Sequence, residues 1–350
     1  MKAGTLLPGL PALLPLLMAL ALPLPLRAEG DRAGLVMMGA SVLKIEVKRP
    51  QGGYALGSGV VVGADRIVTN CHVTQGGVEI QVLRGGVRWT VATQARDLER
   101  DLCVLQVPGL RADSVPLGRA DELKPGQPLT AIGFSGGLGI QSSAGAVVAL
   151  HRHDGSRVIQ SSNWFSSGAS GGGLFDDQLR LVGVLTFRLR GGARHYFSAP
   201  AEWLRPLLDD DSRYQPVAAA AGPMVSYWQR VLEEQPNFLR AAALERERNW
   251  VELQALAADW GRSDTTDPAP WALQGLALGR LGRLPEAQAA TEKSLSLEPG
   301  SAATWYQLGQ LLLRQGRVEA LAPVRRSLQA LEPTLARQFE GEVLAHQGRT

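Results

Sequence analysis

The chain of 350 residues carries 36 Lys and Arg against 33 Asp and Glu, a formal net charge of +3, with hydrophobic residues at 45%. That length exceeds one ordinary core and anticipates two domains. The scattered basic residues exclude the cation track that nucleic acid demands. The opening stretch MKAGTLLPGLPALLPLLMALALPLPLRAEG starts with Lys2, runs on as apolar residues and reaches Ala28 before Glu29. This order predicts a signal peptide over residues 1–28, cleaved after Ala28, and an exported chain, periplasmic or secreted. Pro8, Pro11, Pro15, Pro23 and Pro25 break the helix that a retained anchor would need, and no later stretch is apolar enough to span a bilayer.

From about residue 38 to 200 the pattern is short and β-like. ASVLKIEVKR, GSGVVVGADRIVTN, GVEIQVLR, VRWTVAT and DLCVLQV alternate with Gly-rich or charged turns. PLTAIGF, GAVVALHRH, SRVIQSS, LRLVGVLTF and HYFSAP continue the series, and PAEWLRPLLDD reads as a short closing helix. Many short strands at close spacing predict an all-β barrel or sandwich. Beyond DSRYQPVAAAAGP the texture turns to Ala, Leu, Arg and Glu at helical spacing.

Three segments of the β half carry candidate chemistry. RIVTNCHVTQGG places His72 directly after a strand, LERDLCVLQV places Asp101 at the start of another, and NWFSSGASGGGLF places Ser170 among glycines. A serine is a poor nucleophile until an imidazole takes its proton, and the imidazole needs a carboxylate to fix its tautomer. His, Asp, Ser in chain order is one of the known arrangements of that acyl-transfer triad. Cys71 and Cys103 are even in number in an oxidising compartment, and their pairing stays open on count alone.

These segments resemble the trypsin-like serine proteases, specifically the bacterial HtrA (Deg) branch, over roughly residues 38–207. That branch writes T-N-x-H-V, D-L-x-V-L and G-x-S-G-G at the three places. The resemblance implies two small β-barrels over residues 33–210 with His72, Asp101 and Ser170 in the cleft between them, and no cofactor. It implies an oxyanion hole from the N–H groups of Gly168 and Ser170. Thr186 would hydrogen-bond near Asp101, and Phe187 and Arg188 would border the substrate pocket. Trp164, not an acid, stands six residues before Ser170, which points away from Lys or Arg preference and toward small or medium apolar residues. Ala169 leaves no acceptor for activation by a freshly cut N-terminus, and the PDZ domain usual in the branch is missing. If His72 and Asp101 touch, Cys71 and Cys103 come within disulfide range.

The helical half repeats. Trp271, Gly275, Leu278, Gly282 and Pro299 recur 34 positions later as Trp305, Gly309, Leu312, Gly316 and Pro333. This period resembles the tetratricopeptide repeat, a helix–turn–helix unit. After a linker at 211–222, the resemblance implies an all-α repeat domain over 223–350. Clear repeats span about 268–301 and 302–335, with a divergent one about 234–267 and a terminal capping helix. Such an array implies a protein partner on its concave face. The remaining histidines, His151, His153, His195 and His346, read as surface residues, without the spacing of a metal site. The overall expectation is an exported serine endopeptidase acting on proteins or peptides. The alternative is a weak or inactive protease-fold scaffold that works through its repeats.

Overall fold

A computed structural model describes residues 27–137, 139–189, 196–217 and 225–348. The predicted signal peptide lies outside the described residues except for its last two, and His195 lies outside them too. Those two residues begin α1 (Arg27–Ala40), which leads into β1 (Val42–Lys48), β2 (Tyr54–Gly63) and β3 (Arg66–Asn70). A single turn, α2 (Cys71–Thr74), is followed by β4 (Glu79–Arg84), β5 (Val87–Thr90), β6 (Thr93–Asp97) and β7 (Leu102–Gln106). Period-two alternation turns Leu43, Ile45 and Val47 of β1 toward one interior, where they meet Ile67, Ile80, Val82 and Leu105.

The second set of strands is β8 (Pro128–Gly133), β9 (Gln141–His153), β10 (Ser156–Ser161), β11 (Gly173–Phe175), β12 (Leu181–Arg188) and β13 (Tyr196–Pro200). It closes into a barrel in the order β10-β13-β12-β11-β8-β9. Its interior holds Leu129, Ala131, Val147, Ile159, Phe165, Leu174, Val182 and Leu185. A turn, α3 (Arg205–Leu208), then returns the chain to the first sheet through β14 (Gln215–Pro216). The first sheet thus has eight strands, in the order β14-β6-β7-β3-β2-β1-β4-β5.

The expected linker at 211–222 begins on this return. Gln215 pairs with Gln94 of β6, the Arg66 guanidinium lies 4.3 Å over the Tyr214 ring, and Arg66 Nη2 donates to Asp211 Oδ1 at 2.9 Å. Residues 211–216 thus run along the first sheet, with Tyr214 half-buried and the others exposed.

The helical region comprises α4 (Asn237–Glu247), α5 (Trp250–Ser263), α6 (Pro268–Arg280), α7 (Leu284–Leu297), α8 (Ala302–Arg314), α9 (Ala322–Leu331) and α10 (Pro333–Gln347). Asp267 and Ser301 cap α6 and α8 by accepting the N–H groups of Ala269 and Thr304. A Cβ on Gly275 would come within 2.3 Å of Thr291 Oγ1, and one on Gly309 within 2.5 Å of the Phe339 ring. The 34-residue recurrence of glycine thus marks two places where a neighbouring side chain lies against the helix backbone. The connection after α8 departs from the one after α6: Val318–Leu321 forms a 3-10 turn before α9 begins.

The helices sit directly on the β region. Phe238 of α4 stacks on His151 of β9 with ring centroids 4.6 Å apart, and Arg152 Nη1 donates to Thr266 Oγ1 at 2.7 Å. One apolar cluster joins Val68, Phe175, Phe187 and Phe197 to Tyr227, Phe238 and Trp260. His151 is therefore not a surface residue: it is 8% exposed, with its Nε2 2.7 Å from Gln160 Oε1. His153 is half-buried against Tyr227, centroids 4.7 Å apart. Both expectations fail because α4 and the segment before it cover this face of the barrel.

Candidate active site

Asp101 and His72 are held by the two edges of a short loop pair. β3 ends at Asn70, and α2 turns the chain so that the His72 backbone N–H donates to Asp101 Oδ1 at 2.9 Å. The His72 Nδ1 lies 2.6 Å from Asp101 Oδ2, and the aspartate side chain is fully buried while the histidine remains 24% exposed. A buried carboxylate accepting an imidazole N–H at that distance is a short, charge-assisted bond that holds the ring with Nε2 outward-capable as a base. Asp101 itself has φ 58°, a left-handed conformation tolerated by aspartate, and its carbonyl accepts from Asn70 Nδ2 at 3.0 Å and from Cys71 N–H at 3.2 Å.

Cys71 and Cys103 are joined by a disulfide, Cα atoms 5.0 Å apart, beside this pair. Asn70↔Leu102 and Thr69↔Cys103 are ladder partners, so the cross-link ties the two strand ends that carry His72 and Asp101.

Ser170 arrives from the second barrel, just before β11. The loop is built around Gly168 at φ 95° and Gly171 at φ 84°, backbone conformations that side chains resist. A Cβ on Gly171 would fall 2.2 Å from both Ser58 O and Thr69 Oγ1, so only glycine lets the loop lie against the first sheet. Among the described residues, neither the N–H of Gly168 nor that of Ser170 finds an acceptor, which leaves both able to meet an anionic oxygen.

Among the described residues, the Ser170 hydroxyl makes one hydrogen bond, to Thr186 O, long at 3.5 Å, and none to His72. Thr186 lies near Asp101 through Asn70, without bonding the carboxylate itself: its Oγ1 donates to Val184 O at 2.8 Å and accepts at 3.3 Å from Asn70 Nδ2, which also donates to Asp101 O. The carboxylate is reached instead by Trp228, whose indole Nε1–H donates to Asp101 Oδ2 at 3.2 Å. The same indole stacks on Phe187, centroids 4.8 Å apart, so Phe187 is 6% exposed and does not border an open pocket. Arg188 and Trp164 are exposed, the latter by 52%.

Ser58 carried no signal in the sequence beyond GSG, yet it joins the two halves. Its N–H donates to Ser170 O at 2.8 Å, and its Oγ donates to Gly168 O at 2.8 Å while accepting the Phe134 N–H at 2.8 Å. Burial raises the pKa of the nearby Tyr227 hydroxyl, with the charges of Asp101 and Glu99 adding to it, so this ring stays neutral. Among the described residues no group of three His, Cys, Asp or Glu side chains could hold a metal ion, and no helix is long and apolar enough to cross a membrane.

Residues 57–184 match the family described as the trypsin-like peptidase domain. A probable periplasmic serine endoprotease, DegP-like, from Buchnera aphidicola is 32% identical over 142 residues, 38% of this chain and 30% of that protein. The periplasmic serine endoprotease DegP of Escherichia coli K12 is 31% identical over 141 residues, 38% of this chain and 30% of that one. The chain thus spans about a third of the length of the curated relatives it matches. Among solved structures, the Rv3671c protease from M. tuberculosis in its active form aligns with TM-score 0.51 at 23% identity, covering 56% of this chain and 92% of that one. Residues 57–184 therefore match a trypsin-like peptidase domain, with DegP-like relatives, and the fold is shared with the Rv3671c protease.

Proposed function

We propose that the chain is an exported serine endopeptidase that cleaves protein substrates through an acyl-enzyme, with His72, Asp101 and Ser170 as its triad. The observation that carries this reading is the 2.6 Å bond between His72 Nδ1 and the buried Asp101 carboxylate, with Ser170 held in a glycine loop bonded to Ser58 of the first sheet. Attack requires the Ser170 hydroxyl to turn from Thr186 O toward His72. The imidazole takes its proton as the oxygen bonds to the substrate carbonyl carbon, and Asp101 stabilises the imidazolium. The carbonyl oxygen, now anionic, is received by the N–H groups of Gly168 and Ser170; losing one such donor typically costs about 3–4 kcal/mol. Collapse of the adduct expels the amine with the proton from His72, and water repeats the sequence on the ester.

Export fits the leader-like first 28 residues and the periplasmic naming of the relatives. The helical half reads as tetratricopeptide repeats that recruit protein, supported by its 34-residue period and by Gly275 and Gly309 at equivalent close contacts. A second reading, a protease-fold scaffold with little turnover, is favoured by two features: Trp228 covers Phe187, and the Ser170 hydroxyl is bonded away from His72.

Treating the purified mature protein with a fluorophosphonate separates the two. Labelling of the parent and none of Ser170→Ala supports the peptidase; a folded parent that stays unlabelled at neutral pH favours the scaffold. A cleavage profile on a proteome-derived peptide library would then identify the substrate class.

A further inference from the structure

The Asp101 carboxylate has no access to water and three donors: the His72 backbone N–H on Oδ1, and His72 Nδ1–H and Trp228 Nε1–H together on Oδ2. The first two belong to the β region. The third comes from 127 positions later in the chain, from the segment that leads into α4. We propose that Trp228 is a positioning residue of the site, its indole N–H fixing the Asp101 carboxylate so that His72 is kept protonated on Nδ1. This rests on the peptidase reading above.

The half-buried indole is held by two rings. Its face stacks on Phe187 at 4.8 Å and 10°, and it meets the His72 ring edge-on at 5.7 Å and 81°. Gln235 Nε2 donates to Trp228 O at 3.0 Å, and Arg230 pairs with Glu99. The Tyr227 N–H donates to Glu99 O at 3.1 Å, two residues before Asp101, while the Tyr227 ring is 1% exposed among Phe187, Trp203 and Phe238. These anchors tie the segment to the Asp101 loop through Glu99, to the second barrel through Phe187 and to α4 through Phe238. The third donor thus comes from a segment outside both β-sheets, held against the Asp101 loop by contacts of its own.

A carboxylate deprived of one of three donors in a dry site can swing toward the remaining two, and a shared oxygen no longer defines one imidazole orientation. Trp228→Phe removes the N–H and keeps the stacked ring, so it separates this role from packing. The full-length mature protein is reacted with a fluorophosphonate across a concentration series, giving a limiting inactivation rate and an apparent affinity. For Trp228→Phe the limiting rate should fall about 10-fold, since a hydrogen bond to a charged group is at stake, while the affinity changes by less than about 2-fold. Trp89→Phe is the control: it deletes an indole bond to Gly109 O on the outer part of the first sheet and should change neither.

The 15N shifts of the His72 ring nitrogens at alkaline pH give a readout that needs no turnover. The parent should be protonated on Nδ1, and Trp228→Phe should gain the Nε2-protonated tautomer. A folded Trp228→Phe protein with the parent's limiting rate, or a faster one, overturns the proposal, the faster rate marking Trp228 as a plug. If neither parent nor Ser170→Ala is labelled, the peptidase reading fails, and the proposal then stands or falls on the ring-nitrogen shifts: an unchanged tautomer population overturns it.

Discussion

The imidazole of His151 stacks on the ring of Phe238, centroids 4.6 Å apart and planes 11° from parallel, where the helical region meets the second barrel. Burial pushes the His151 pKa down to about 4 from its ordinary 6.5, outweighing the bond to Gln160. The unfolded chain takes up a proton near pH 6.5 whereas the folded one resists until about pH 4. Stability from this group is therefore complete above the unfolded value and declines as pH falls between the two, by about 3 kcal/mol at the lower end. His151→Phe keeps a flat ring and removes the titration. Urea midpoints across that pH range should fall less in His151→Phe than in the parent, and parallel profiles would contradict the assignment.

Asp101→Asn should leave the fold recognisable and nearly abolish turnover. An amide has one acceptor oxygen where the carboxylate offers two to three donors, so its NH2 confronts either the His72 N–H or the Nδ1–Trp228 side. Losing the correct tautomer lowers kcat by about 10^4 in triads of this kind. Peptide hydrolysis beside circular dichroism would test it; an asparagine variant within tenfold of the parent would remove Asp101 from the mechanism.

The segments around His72, Asp101 and Ser170 were legible because each chemistry-bearing residue has its own local context: a strand end, a strand start and a run of glycines. Trp228 was not. SYWQRVLEEQP has no strand or strong helical period, and its indole gains a role only when Tyr227 and Phe238 dock. The same docking misled the reading of His151, whose alternation in ALHRH is correct for a strand but whose outer face is covered by a helix from much later in the chain. Two-residue β14 is too short for period-two alternation, so Gln215 and Pro216 looked like linker. In each case what could not be read was a long-range contact; local periodicity carries no information about its partner.

Gly171→Ala and Gly52→Ala separate two costs of adding a methyl group. Both glycines have positive φ, 84° and 91°, but a Cβ on Gly52 meets nothing within 4 Å whereas one on Gly171 meets Ser58 O and Thr69 Oγ1 at 2.2 Å. Gly52→Ala should lose about 1 kcal/mol from backbone conformation alone. Gly171→Ala should lose more than about 4 kcal/mol or fail to fold, because the nucleophile loop must lift from the first sheet. Denaturant midpoints decide; equal losses would mean that the loop does not press on Ser58.

The Cys71–Cys103 bond closes a separation of 32 residues, so its main effect is on the unfolded chain, where it removes roughly 3–4 kcal/mol of conformational freedom in the entropic account. Both residues are essentially buried, at 1% and 0% exposure, and the His72–Asp101 geometry has its own hydrogen bonds. The double variant Cys71→Ala, Cys103→Ala should therefore unfold at markedly lower denaturant while its fluorophosphonate labelling rate, measured well below that midpoint, stays within a few-fold of the parent. A labelling rate that collapses in fully folded double variant would show instead that the cross-link holds the two strand ends in register for the site, beyond what the ladder Thr69↔Cys103 and Asn70↔Leu102 supplies.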